Sequence, residues 1–257
     1  MILYKYLPPE RVDVLEHGLI AFTPPRLFND PFEASPIFPS DAPEAIELHD
    51  EQLTKRVKFT HAEKIELQRK IDAIQSAHGY RRLIVEQAVN SVGVLCLSEK
   101  KDCALMWAHY TAQHTGFVIG IDTAHQLWVE SVRKNGGPGE PIKLIYSNER
   151  PKPKCISDVT PEQIWYTKSK EWEYENEWRT TRWNARAFTT IKNPVGEDIP
   201  LHEFPREAIT EVILGQRIES FTELQILQLV YRPPFETVLV LRAELDQTTF
   251  GLNIVPR

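Results

Sequence analysis

The chemistry in this chain is densest in Lys170-Glu-Trp-Glu-Tyr-Glu-Asn-Glu-Trp-Arg-Thr-Thr-Arg182. In an extended conformation Glu171, Glu173, Glu175, Glu177 and Arg179 share one side, and Trp172, Tyr174, Asn176 and Trp178 share the other. Four carboxylates on one face repel, and partial burial raises the pKa of at least one of them. A Glu-x-Glu pair beside aromatic rings can stabilise an oxocarbenium-like centre or position a nucleophile. The plain alternative is an amphipathic strand whose charges stay in water.

Other groups are less specific. Trp107-Ala-His-Tyr110 can line a pocket or pack in a core. His109 and His114 stand five residues apart, roughly 140° around a helix, unlike the one-face spacing of HExxH. A zinc pair is not expected, and no metal is expected elsewhere. Ser98 follows a strand and precedes a helix without a G-x-S-x-G elbow, so it suits a hydrogen-bond donor better than a nucleophile. Asn29-Asp-Pro-Phe-Glu33 initiates a turn and brings three polar side chains with it. Asp30 and Glu33, joined by Glu175 and Glu177, give a metal-assisted hydrolase as a third and weaker reading. Cys103 reads as a small buried residue.

Positioning these groups takes a globular scaffold. The 257 residues are 42% hydrophobic and 26% charged, with a net charge of −6, a balance that does not favour nucleic acid. No apolar run approaches the roughly 18 residues of a membrane helix. The start, Met-Ile-Leu-Tyr-Lys-Tyr, lacks a secretory pattern. Three cysteines without CxxC spacing read as reduced thiols of a cytoplasmic protein.

Strands are expected at Met1–Tyr6, Leu19–Phe22, Ser91–Leu97, Phe117–Ile121, Ile142–Tyr146, Ala208–Gly215, Val238–Glu244 and Leu252–Val255. Helices follow Pro8-Pro9, closed by Gly18, and Asp102 as a cap. Others cover Thr123–Arg133 and begin at the Thr160-Pro-Glu-Gln163 cap and at Ser220. Gly136–Gly139 reads as a hinge. The polar run at about 44–78 reads as a helical hairpin inserted at the periphery, with its second helix starting at Thr60. Leu27, Phe28 and Phe32 are too apolar for a free loop, so Phe28–Glu33 should be ordered and pack near residues 95–110. Without a regular βαβ rhythm, the class is α+β: one domain with a central mixed, largely antiparallel sheet, open to being split, and flanking helices.

The chain resembles the bacterial domain-of-unknown-function family 2971. The matching pieces are Leu3–Tyr6, Leu27–Glu33, Cys96–Ser98 with Met106–Tyr110, His114–Gly120, Lys170–Arg179 and Glu211–Gly215. It is more distantly similar to ADP-ribosyltransferases, in which a first-strand residue holds NAD, a strand-end Ser supports it and a late Glu contacts the ribose. Tyr4 or Lys5, Ser98, and Glu175 or Glu177 occur in that order here, although the Ser-Thr-Ser triplet of those enzymes is absent. This second resemblance implies an NAD-using transferase, in defence or as a toxin. Glu177 would hold the ribose and stabilise positive charge, and Glu175 would assist acceptor attack. Tyr4, Lys5, Ser98, Trp107, His109 and Tyr110 would surround the cofactor, with Asn29, Asp30, Glu33 and Arg179 toward the substrate. The rival is a non-catalytic module that docks a small molecule or a protein in the same cleft.

Overall fold

The computed structural model describes residues 1–37, 87–134, 140–154, 158–193, 195–235 and 237–257. The expected hairpin at 44–78, the hinge at 136–139 and Cys155 lie outside them. The first strands are β1 (Ile2–Leu7), β2 (Leu19–Ala21), β3 (Val92–Ser98) and β4 (Phe117–Asp122). They are followed by β5 (Ile142–Lys143), β6 (Ile145–Ser147), β7 (Thr167–Ser169) and β8 (Glu177–Trp183). The last are β9 (Thr189–Lys192), β10 (Asp198–Glu203), β11 (Ile209–Leu214), β12 (Leu239–Leu245) and β13 (Leu252–Pro256). The helices are α1 (Asp13–His17), α2 (Ala104–Tyr110), α3 (Gln126–Lys134), α4 (Pro161–Trp165) and α5 (Ser220–Val230).

Eight strands make one sheet in the order β13-β12-β11-β4-β1-β3-β8-β5. Only β11 and β12 run parallel within it. The class is therefore α+β with a mixed, largely antiparallel sheet. Alternation along the central strands feeds two cores. Leu3, Leu7, Phe117, Ile119 and Ile121 meet residues of α1, α3 and α5, whereas Tyr4, Tyr6 and Val118 meet Met106 and Trp107 of α2. Because both faces are covered, Phe117–Ile121 can be apolar throughout.

The sheet has one weak joint. Six residue pairs join β1 to β4, but a single pair, Tyr4↔Ser98, joins β1 to β3. Beyond it β3 changes partner: Val94 exchanges backbone hydrogen bonds with Thr23, at 2.8 and 3.0 Å. Between these two contacts the strands part, and Lys5 reaches across to donate a hydrogen bond to the Cys96 carbonyl at 3.2 Å.

Local signals fared unevenly. Gly18 ends α1 with φ 64°, and Thr160 with Gln163 forms the full capping box of α4. Asp102 is not a cap: Cys103 stands at the start of α2 and makes no side-chain bond. Glu219 likewise precedes α5 without capping it, which places Ser220 inside the helix. Ile142–Tyr146 divides into β5, which joins β8, and β6, which pairs in parallel with β7. The Phe28–Glu33 loop is ordered and carries Phe28 and Glu33 to the split. Phe32, however, is 59% exposed under the Arg150 guanidinium.

On the sheet face opposite Arg179, Arg182 lies over the Phe22 ring at 4.6 Å, and His202 meets the same ring edge-on at 4.8 Å. His202 is 1% exposed and neither ring nitrogen has a partner. Burial and the neighbouring Arg182 charge push its pKa down to about 4. A histidine depressed when folded contributes full stability above its unfolded pKa of about 6.5, and that contribution is lost as pH falls toward the folded value. About 2 kcal/mol should be gone by pH 5. In urea denaturation at pH 7.5 and pH 5, His202→Phe should lose less stability on acidification than wild type; equal losses would show that His202 is not the group responsible.

Candidate functional site

The glutamate-rich stretch is not one extended strand. Lys170–Glu175 forms a 3-10 helix that the Ser169 side chain caps, and Asn176 ends it with φ 42°. Asparagine tolerates this left-handed conformation better than most residues. Glu177 then begins β8. The period-two expectation therefore fails over Glu171–Glu175. Glu171 and Glu173 stay exposed, while Glu175 and Glu177 are 2% and 3% exposed. Two fixed contacts hold this turn. Ser98 Oγ donates to the Glu175 carbonyl at 2.5 Å, and the Glu177 N–H donates to Tyr146 Oη at 2.8 Å.

Lys168, on β7, is the centre of the cluster. Its ammonium lies 2.6 Å from Glu175 Oε2, 2.9 Å from Glu177 Oε2 and 3.2 Å from Glu33 Oε1, with the Trp172 ring 4.9 Å away. Arg179 adds a second cation. It donates to Glu177 through Nε and Nη2, at 2.6 and 3.1 Å, and also to Glu33 and the Trp165 carbonyl. Phe28 covers its guanidinium at 4.8 Å. Tyr110 completes the group by donating to Glu175 Oε1 at 2.6 Å. The ammonium of Lys168 thus fills the space among the three carboxylates where a metal ion would have to sit.

The two glutamates differ in proton affinity. Burial pushes Glu177 up, but the combined pull of Arg179 and Lys168 holds it well below the carboxylate range. Burial, reinforced by the charge of Glu177, raises Glu175 despite Lys168 and Tyr110. Burial lowers Lys5 and raises the Cys96 thiol. A pair of carboxyls pushed in opposite directions is the arrangement that lets one stay charged while the other exchanges a proton.

These groups border a cavity of about 430 Å³ at the split between β1 and β3. The cavity brings together Tyr4, Lys5, Asn29, Glu33, His109, Tyr110, Glu175, Glu177 and Arg179 from the sequence-based set. Three members of that set stand behind it. Ser98 holds the Glu175 backbone. Trp107 is in the core against Tyr6 and His114, with its indole N–H donating to the Lys101 carbonyl. Asp30 is buried and accepts from the Phe32 N–H. Phe28, from the loop expected to pack here, also lines the cavity, as do Lys168, Tyr6 and Cys96, which sequence reasoning does not single out as site residues. Lys168 could have been sought as counter-charge to the acids, but Lys170 offered the same signal.

The far wall is strained. Ala112, which lines the cavity, begins three consecutive left-handed residues with φ 48°, 59° and 70° at Ala112, Gln113 and His114. Such residues are unfavourable for side chains with a Cβ and persist only where the surroundings fix them. Here the His114 carbonyl accepts from the Arg217 N–H, and Gly215 sits so close that a Cβ would come within 2.3 Å of that oxygen.

Removing one partner from a buried charged network strands the rest. Lys168→Met should therefore cost about 3–5 kcal/mol in urea denaturation. A loss no larger than that of an exposed pair, about 1 kcal/mol or less, would show that water and not Lys168 compensates the three carboxylates.

Among the described residues no helix is long and apolar enough to cross a membrane. No curated protein and no solved structure matches the chain. The match that exists is to a family described as protein of unknown function (DUF2971), over residues 106–180, a span that contains Tyr110, Lys168, Glu175, Glu177 and Arg179.

Proposed function

We propose that the cavity is the NAD site of an ADP-ribosyltransferase-like enzyme, cytoplasmic and acting in defence or as a toxin. The observation that carries this reading is the convergence of Glu175 and Glu177, with opposite pKa directions, on one cavity in a split sheet. The volume lies in the range of small-molecule sites. Phe28, His109 and Tyr110 offer faces for planar rings. Because Lys168 and Arg179 are already engaged by carboxylates, the lining suits the nicotinamide–ribose half of NAD better than its pyrophosphate.

In this reading Glu177 is held ionised and supplies fixed negative charge as the ribose–nicotinamide bond breaks and the ring becomes oxocarbenium-like. Glu175, with its raised pKa, takes the proton from the attacking acceptor. Tyr110 and Lys168 orient it through its two oxygens. Three carboxylates against two cations, Lys168 and Arg179, leave the cluster one negative charge when all are ionised. That excess favours a positive charge in the cavity, first on the bound pyridinium and then on the ribosyl ring as neutral nicotinamide leaves.

One feature favours the rival, a non-catalytic module for a small ligand or a protein. Glu33, Glu177, Lys168 and Arg179 satisfy one another within the wall, as a purely structural network would. NAD consumption, followed by nicotinamide release, separates the two. Glu175→Gln should keep the fold and lower turnover about 10²–10⁴-fold. In wild type the rate should rise with pH through a pKa above the usual carboxylate range, because Glu175 must lose its proton to act as base. Calorimetric binding of NAD without nicotinamide release would favour the module, and neither binding nor release would remove NAD from the reading.

A further inference from the structure

Among the described residues, Lys5 is the cavity-lining cation with no carboxylate at salt-bridge distance. Lys168 and Arg179 are each held by carboxylates at hydrogen-bond distance. Among the described residues Lys5 makes one hydrogen bond, to the Cys96 carbonyl at 3.2 Å across the gap between β1 and β3. Lys5 belongs to the cavity lining, together with Tyr4, Tyr6 and Cys96. That bond accounts for the Cys96 carbonyl, left without a strand partner where β1 departs, but it leaves two of the ammonium's three donors unused. A lysine desolvated in a cavity and free of an ion pair is the kind that reacts as a neutral amine. Burial, helped by the Arg11 charge, acts here in that direction and outweighs Cys96, Glu177 and Glu175, which oppose it.

We infer that Lys5 is a nucleophilic amine that captures the carbonyl carbon of a small aldose-type ligand as an imine. The nitrogen lone pair forms the C–N bond, and the carbonyl oxygen takes up the proton released from nitrogen, giving a carbinolamine. Loss of that hydroxyl as water, with one more proton, leaves the protonated imine. Glu175 lines the same cavity and burial raises its proton affinity, so it can supply the second proton. No oxidant or reductant is needed. Open-chain sugars provide the carbonyl, and the free reducing sugar released when water is the acceptor in the reaction proposed above would be one source. The inference goes beyond that reaction and does not require it.

Ribose 5-phosphate with cyanoborohydride is a suitable probe, since hydride converts the imine to a stable secondary amine. The wild-type protein is labelled briefly at pH 7 and the modified lysines are mapped by peptide mass spectrometry. Lys152 and Lys192, which are 59% and 63% exposed, are internal controls. A lowered pKa raises the free-amine fraction at pH 7, so Lys5 should be labelled faster than either control. Lys5→Arg should abolish the fast site while leaving the slow ones. Labelling of Lys5 no faster than Lys192 overturns the inference, and needs no variant to be seen. NAD turnover on the same preparation reports separately: fast labelling without turnover sinks the transfer reading and leaves this one, and turnover without fast labelling does the reverse.

Discussion

An ammonium enclosed by three carboxylates is the constraint on which the site depends. Lys168 comes from β7, Glu33 from the loop after β2, Glu175 from a 3-10 helix and Glu177 from β8. Lys168, Glu175 and Glu177 lie within ten residues of one another, whereas Glu33 arrives from a distant loop. Taking such charges out of water costs several kcal/mol per ion, and only near-complete pairing offsets it. The geometry is complete: Lys168 meets all three acids and Arg179 meets two of them. Each segment is thereby held in one place relative to the others. A cluster of this kind defines position more than it adds stability, because an apolar replacement could fill the space without fixing any angle.

That rigidity has an electrostatic corollary. Glu177 spends its oxygens on Arg179 and Lys168, whereas Glu175 keeps one oxygen toward Tyr110. Neighbouring acids of the same type therefore end with opposite tendencies, although they are separated by one asparagine. The left-handed Asn176 is what turns them from strand neighbours into two distinct corners of one cluster.

Much of the scaffold was legible because it rests on local rules. Leu3, Leu7, Phe117, Ile119 and Ile121 alternate as core strands must, and Gly18 and Thr160 mark helix ends with side-chain and backbone chemistry that acts within a few residues. The glutamate stretch was misread as one strand because alternating polarity fits both a strand and an irregular turn-and-strand segment. Asn176 was the breaker that settled it. Glu175, Glu177, Tyr110 and Arg179 could be nominated from residue type. Lys168 was harder to nominate, since Lys170 offered the same counter-charge and its third partner, Glu33, arrives from a loop 135 residues earlier in the chain. Trp107 resolves the other way: residue type left it open between pocket lining and core, and the helix turns it into the core against Tyr6.

The single Tyr4↔Ser98 pair makes the large sheet two plates with a seam. One plate runs from β13 to β1 and the other from β3 to β5. Within each plate, bending must stretch several hydrogen bonds at once. Across the seam it strains one residue pair, one lysine contact and the Tyr6 hydroxyl bond to the Lys100 carbonyl, while the Thr23–Val94 bridge ties β3 to the end of β2. Elastic compliance is therefore concentrated at the mouth of the cavity, while the charged corner below stays stiff. A guest wedged between the plates would meet a soft entrance over a hard floor, and the displacement it caused would be carried toward β2 through Thr23.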